Sequence, residues 1–223
     1  MSTISDIQKA VGVSADGVAG TKTLAAIAAR LGCAANWCAV QKAVGAKADG
    51  LPGSLTFAAI AARLGVRATV TQAEVRSGKS VYGKAGDEAA LVYVKPPYPI
   101  YYDGKEYKHG VRVHKRVADS LAAVFADVLK EYGAEKIHKL GLDVYDGAYT
   151  YKRTAGGGSL SVHAWGLAID WGAARNGLRV HAPQAQFSGP EYAAWWRIWE
   201  RHGWHSLGRE KDYDWMHVQA VSF

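Results

Sequence analysis

The sequence predicts an α+β domain, a small antiparallel sheet with helices, preceded by a small all-α repeat domain. Three observations lead to it. A stretch of 25 residues near the start returns 33 positions later with 18 identities. Two later segments, 117–133 and 189–203, place apolar residues at helical spacing. Around them lie short strand-like runs with no regular βαβ alternation. The expected boundaries are a helical domain over 1–66, a linker over 67–92 and the α+β domain over 93–223.

The repeat is QKAVGVSADGVAGTKTLAAIAARLG (8–32) and QKAVGAKADGLPGSLTFAAIAARLG (41–65). Each copy reads as a short helix, a glycine turn and a longer helix. Thr21 or Thr23, and Ser54 or Thr56, are candidate caps of the longer helix, and Gly32 and Gly65 are its stops. Leu24, Ile27, Ala28 and Leu31 give one apolar face per copy. A single copy is too small to bury that face, so the two should pack together. Ankyrin repeats share the period, but their Thr-Pro-Leu-His signature is absent.

Residues 67–92 have no strong period and are rich in Gly, Ser, Lys and Ala, hence the linker. Residues 91–107 read as extended chain broken by prolines. In 117–133, Val117, Leu121, Val124, Val128 and Tyr132 share a face and Gly133 follows, which predicts a helix. Residues 142–153 alternate like a strand or hairpin, with Asp146-Gly147 as the turn. SVHAWGLAIDW (161–171) should end as a buried strand. GPEYAAWWRIWERHG (189–203) reads as a helix with Pro190 in its first turn and Gly203 at its end. Its Trp195, Trp196 and Trp199 read as core rather than as a glycan groove. DWMHVQ (214–219) is a final short strand.

The chain has 223 residues, 49% of them hydrophobic and 21% charged, a globular composition. No apolar run reaches the roughly 20 residues of a membrane helix, so no stable membrane insertion is expected. The start, MSTISDIQKA, lacks the pattern of a signal peptide. The net charge is +7, with a pI near 9.3, which suits anionic surfaces such as nucleic acid, phospholipid or cell wall. The charge is spread along the chain, which argues against nucleic acid. Cys33 and Cys38 read as two thiols between helices.

SVHAWGLAID sets an imidazole and a carboxylate seven positions apart in an apolar, small-residue segment. A catalytic zinc site takes about three protein ligands and keeps one position open. His163 and Asp170 supply two, and Gly166 allows a turn between them. A separate segment should bring the third ligand with a carboxylate nearby as general base. DWMHVQ offers both, as His217 and Asp214. Strict strand alternation would put those two on opposite faces, so a turn ending near Trp215 is required. The other histidines, His109, His114, His138, His181, His202 and His205, read as surface or hydrogen-bonded residues. The glycines 156–158 match no phosphate loop.

Two resemblances follow from these motifs. The turns Asp16-Gly17-x-x-Gly20 and Asp49-Gly50-x-x-Gly53, each with a leading Gln8 or Gln41, resemble the small helical peptidoglycan-binding module. The resemblance implies that Asp16, Gly17, Asp49 and Gly50 contact bacterial cell wall. The alternative is a helical spacer whose turns need Asp and Gly for geometry alone. Ser161, His163, Gly166, Ala168 and Asp170, with Asp214 and His217 near the end, resemble a zinc peptidase family. It comprises D-alanyl-D-alanine carboxypeptidases and phage L-alanyl-D-glutamate endopeptidases, and the resemblance covers about residues 105–223. It implies one Zn²⁺ on His163, Asp170 and His217, with Asp214 as catalytic base. It also implies that Arg153 stabilises the oxyanion and that Ser161 shapes the substrate site. HGWHSLG (202–208) departs from the family, where Trp-Gly-Gly is frequent.

The resulting expectation is a monomeric peptidoglycan hydrolase of the endolysin type. It would be made in the host cytoplasm, reach the wall through a membrane lesion, and not bind nucleic acid. The L-Ala-D-Glu bond is the favoured target. The alternatives are a D-Ala-D-Ala carboxypeptidase and a non-catalytic wall-binding protein with a structural metal.

Overall fold

The computed structural model describes residues 4–66, 70–154 and 156–223. The chain divides into two compact units, 1–70 and 71–223.

The first unit is all α. Helices α1 (Ile4–Val11) and α2 (Thr21–Leu31) form one copy of the repeat, and α3 (Trp37–Ala43) and α4 (Ser54–Arg63) form the other. Ile7, Ile27 and Ala28 from the first copy meet Val40, Ile60 and Ala61 from the second in one buried cluster. The copies therefore share a core that neither could enclose alone. The threonines do not cap α2 or α4. The capping positions are Gly20 and Gly53, with no side-chain hydrogen bond. Thr23 and Thr56 turn inward instead, onto a buried glutamine. Gln8 donates to Asp16 Oδ1 (2.7 Å), Val18 O (2.9 Å) and Thr23 Oγ1 (2.9 Å), and accepts from Gly17 N (2.9 Å). Gln41 makes the same set with Asp49, Leu51, Thr56 and Gly50. Asp16, Gly17, Asp49 and Gly50 thus spend these polar groups inside the turns that join the helices.

The second unit is mixed, with short antiparallel sheets and helices. Its elements are α5 (Gln72–Arg76), β1 (Leu91–Val94), β2 (Tyr101–Tyr102), β3 (Lys105–Glu106), β4 (Val111–His114), α6 (Ala118–Leu140), β5 (Tyr145–Gly147), β6 (Ala168–Trp171), α7 (Ala173–Asn176), α8 (Ala193–Arg201), β7 (His205–Ser206), α9 (Leu207–Lys211) and β8 (His217–Gln219). β1 pairs with β4, β2 with β3, and a four-stranded sheet runs β5-β6-β8-β7, all antiparallel. Trp171 on β6, Phe125 on α6, and Trp195 and Trp199 on α8 are buried against one another. The indoles of 189–203 are core, as their helical spacing implies. Tyr132 ties α6 to α8, accepting from Trp195 N (2.9 Å) and donating to Glu191 O (3.1 Å). Among the described residues, no helix is long and apolar enough to cross a membrane.

Four expectations need correction. The 67–92 segment is no linker over its described part: residues 71–92 belong to the second unit. Thr71 and Glu74 form a capping box on α5. Arg76 Nε donates to Leu160 O (2.8 Å), Gly86 N to Ala164 O (2.8 Å) and Trp165 Nε1 to Gly83 O (3.0 Å). Elements this short carry no period, because distant partners hold them. The second concerns 134–140, assigned no element from the sequence: the helix over 117–133 does end at Gly133, as expected. That residue adopts φ 70°, ψ 156°, breaks the helix, and helical turns resume to Leu140. The third is Asp146-Gly147, which lies within β5 rather than at a hairpin tip. The hairpin turn is Asp103-Gly104, where both residues have positive φ, the geometry that two-residue hairpins favour. The fourth is the threonine caps described above.

Candidate metal centre

His163 sits in a short 3-10 turn, Val162–Trp165, which Ser161 opens and Gly166 closes. Ser161 is buried, and its Oγ accepts from His163 N (3.4 Å). Gly166 has φ 67°, and a Cβ there would fall 2.7 Å from Leu91 and 2.8 Å from the His114 backbone. Only glycine fits, on conformation and on space. The chain then enters β6, whose four residues are all buried. Asp170 lies on that strand directly opposite His217 on β8.

These three side chains meet. His163 Nε2 lies 3.3 Å from Asp170 Oδ2 and 3.3 Å from His217 Nδ1, and His217 Nδ1 lies 3.1 Å from Asp170 Oδ1. The candidate ligand atoms all fall within 4.8 Å of one another, and all three residues are buried. The outer nitrogens explain the arrangement. His163 Nδ1 lies 2.5 Å from Ala148 O, which can only accept, so Nδ1 carries the proton and Nε2 presents a lone pair. His217 Nε2 lies 3.1 Å from Gln219 Oε1, and Gln219 Nε2 donates to Val221 O (2.7 Å). That second bond fixes the amide, so His217 donates from Nε2 and turns the lone pair of Nδ1 inward. Two lone pairs and a carboxylate offer one another no proton. A cation between them would complete the set, and outer partners of this kind orient metal-ligating imidazoles. The buried triad could hold a metal ion.

The electrostatics agree. Burial pushes the Asp170 carboxyl up, but hydrogen bonds and attraction from His163 and His217 overcome it and hold the group well below the usual carboxylate range. Burial disfavours charge on His217, and its bond to Asp170 outweighs this and raises its pKa. Asp170 therefore stays an anion inside the site.

Asp214 stands beside the triad. Its backbone is left-handed (φ 54°), and its carbonyl accepts from His217 N (3.0 Å). This is the turn that strand alternation alone could not supply. Asp212, also left-handed, braces it: Oδ1 accepts from Ala182 N (2.8 Å) and Trp215 Nε1 (3.0 Å). Trp215 lies flat on Gly208, where a Cβ would fall 2.3 Å from the indole. Asp214 is buried, and among the described residues its Oδ1 has no hydrogen-bond partner. Burial raises its pKa and Asp170 adds to this, while His217, His163 and Lys152 pull the other way.

Arg153 is placed differently from the expectation. It is exposed, bridges Leu160, and its Nη1 donates to Gly158 O (3.2 Å). In extended chain neighbouring side chains point to opposite faces. Lys152, the residue before Arg153, contributes weakly to lowering the Asp214 pKa, after His217 and His163. Sequence reasoning also passed over Ala148 and Gln219. Ala148 acts through its carbonyl and leaves no side-chain signal. Gln219 was legible, because it lies two residues beyond His217 and so on the same strand face.

No family model, no curated protein and no solved structure matches the chain.

Proposed function

We propose that the second unit is a zinc peptidase acting on the stem peptide of bacterial peptidoglycan, and that the repeat unit holds the wall. The observation that carries the reading is the pairing of a buried, outward-braced His-Asp-His set with a buried carboxylate oxygen that has no partner among the described residues. The resemblance of the two motifs to the D-alanyl-D-alanine carboxypeptidase and L-alanyl-D-glutamate endopeptidase family supports it. Two imidazoles and one carboxylate are a common donor set for catalytic zinc, with room for a further ligand. When bound, the ion would supply a Lewis acid for the scissile carbonyl and acidify a water.

The remaining steps belong to the chain. Asp214 accepts the proton of the attacking water at its open oxygen and returns it to the leaving amine. Its burial raises its basicity, which suits that task. Gln219 and the Ala148 carbonyl keep both imidazoles in the tautomer that leaves the inner nitrogens free. Lys152, beside Asp214, is the side chain available to meet a carboxylate of the stem peptide. A wall-binding unit on the same chain raises the local substrate concentration without adding catalytic contacts. The protein acts as a monomer on the wall, after crossing a membrane lesion of phage-lysis type, without nucleic acid or membrane insertion.

A purely structural metal is the weaker reading, since such a site is closed by a fourth ligand and needs no adjacent free acid. The test combines metal analysis with product masses. One zinc per chain, cleavage of purified muropeptides and its loss with a chelator are expected. Products split after L-alanine mark the endopeptidase, and loss of terminal D-alanine alone marks the carboxypeptidase. A metal-free chain with full activity overturns the proposal.

A further inference from the structure

Five tyrosines and one arginine from separate segments converge on a face beside the candidate metal centre. The Arg112 guanidinium lies over the rings of Tyr93 (5.8 Å) and Tyr149 (5.0 Å) while Nη2 donates to Glu88 (2.8 Å). Tyr102 meets Tyr107 (6.1 Å) and Tyr145 (6.2 Å), and Tyr107 meets Tyr145 (5.3 Å). Burial raises the Tyr107 phenol, and Tyr93 and Tyr102 add to this. A surface pocket opens against Tyr107, lined also by Lys95, Pro97 and Glu106.

The face is continuous with the site. Gly147 pairs with Asp170, and Tyr149 directly follows Ala148, whose carbonyl orients His163. Tyr145 is buried and backs the face, Tyr107 and Tyr149 are half-buried, and Tyr93 (54%) and Tyr102 (50%) are exposed. Clustered exposed aromatics mark a binding surface.

The chemistry selects the occupant. A flat phenol offers an apolar face to the C–H face of a pyranose and a hydroxyl to its rim. The Arg112–Glu88 pair offers donors and acceptors together. The arginine among these rings is already paired with Glu88, so it offers a donor–acceptor rim rather than a free cation for a phosphate. Resting on the peptidase reading, we propose that this tyrosine face is a sugar subsite, holding the glycan from which the scissile stem peptide hangs. The bond beside the first alanine then lies nearest the triad, which favours endopeptidase over carboxypeptidase cleavage.

The test uses the zinc-loaded full chain on two substrates, a disaccharide-bearing muropeptide and the same stem peptide freed of sugar. The sugar-bearing form should be cleaved with about tenfold higher kcat/KM, about 1.4 kcal/mol, the size of one stacking contact. Tyr93→Ala with Tyr149→Ala should bring that ratio near one. Tyr102→Ala, at the exposed rim, should lower it in part and guards against a folding defect in the double variant. Equal cleavage of both substrates by the wild type, or an unchanged ratio in all variants, overturns the subsite alone. Absence of cleavage on both substrates overturns the peptidase reading, and the subsite with it.

Discussion

The two units each bury a polar cluster, and the clusters are built on opposite principles. In the repeat, Gln8 and Gln41 each donate and accept within one turn. Both the donor and the acceptor side of each amide are filled there, and the network closes on itself. In the second unit, His163, Asp170 and His217 present acceptors to one another, and among the described residues Asp214 keeps an oxygen without a partner. That network is satisfied only from its outer side. A closed polar cluster makes a turn rigid, whereas an open one needs a ligand to complete it. Identical networks in two copies therefore mark architecture, and the unbalanced one marks the candidate site.

Four experiments break or sharpen this contrast. Asp214→Asn removes the open base while preserving shape. Cleavage of muropeptides should fall by about 10²–10⁴-fold, with zinc content unchanged. The same variant should be more stable to heat at pH 7. The folded-state pKa of Asp214 is raised, so its contribution favours folding at low pH and turns unfavourable as pH rises through that pKa. Thermal unfolding of wild type and variant at pH 5 and pH 7 checks the sign.

Gln219→Ala strips the outer brace of His217. Zinc affinity, read by competition with a chromogenic chelator, should fall about 10–100-fold. No change would remove Gln219 from the site. Gln41→Ala opens the closed network and leaves Asp49, Gly50 and Thr56 with lost partners. The helical unit should lose about 1–3 kcal/mol by denaturant titration while zinc binding stays intact. The smallest effect belongs to acid. Hydrogen bonds from the Val18 backbone and Gln8 depress the Asp16 pKa, and those from Gln41 and the Leu51 backbone depress that of Asp49. Their stabilisation is present above the unfolded value near 3.8 and is lost as pH falls through the folded pKa. Asp16→Asn with Asp49→Asn should flatten the acid unfolding curve of this unit below about pH 4. An unchanged curve would put its acid sensitivity elsewhere.

Much of this was legible because two kinds of signal are local. The repeat period gave four helices and their shared apolar face. The spacing from His163 to Asp170, with a glycine between, gave a turn followed by a strand. The distant partner His217 came from its motif, and the requirement for a turn at Asp214 came from strand geometry. The less legible features depend on partners far along the chain. Residues 71–92 fold because Leu160, Ala164 and Trp165 accept or donate to them. Arg153 was drawn toward the site by its place in a motif, whereas its exposed guanidinium donates to Gly158 O within its own loop. Thr23 and Thr56 carry the composition of caps, and a glutamine fifteen residues earlier claims each of them.

The pairing of Asp170 with His217 across β6 and β8 carries a further consequence. Side chains alternate along a strand, so a slip of one residue would send the imidazole to the opposite side of the sheet. Such a misaligned ladder keeps its backbone bonds but loses two-handed grip on an ion. Loading would therefore reward the correct strand alignment over its near neighbours, and chain assembly and cofactor capture become a single act of proofreading.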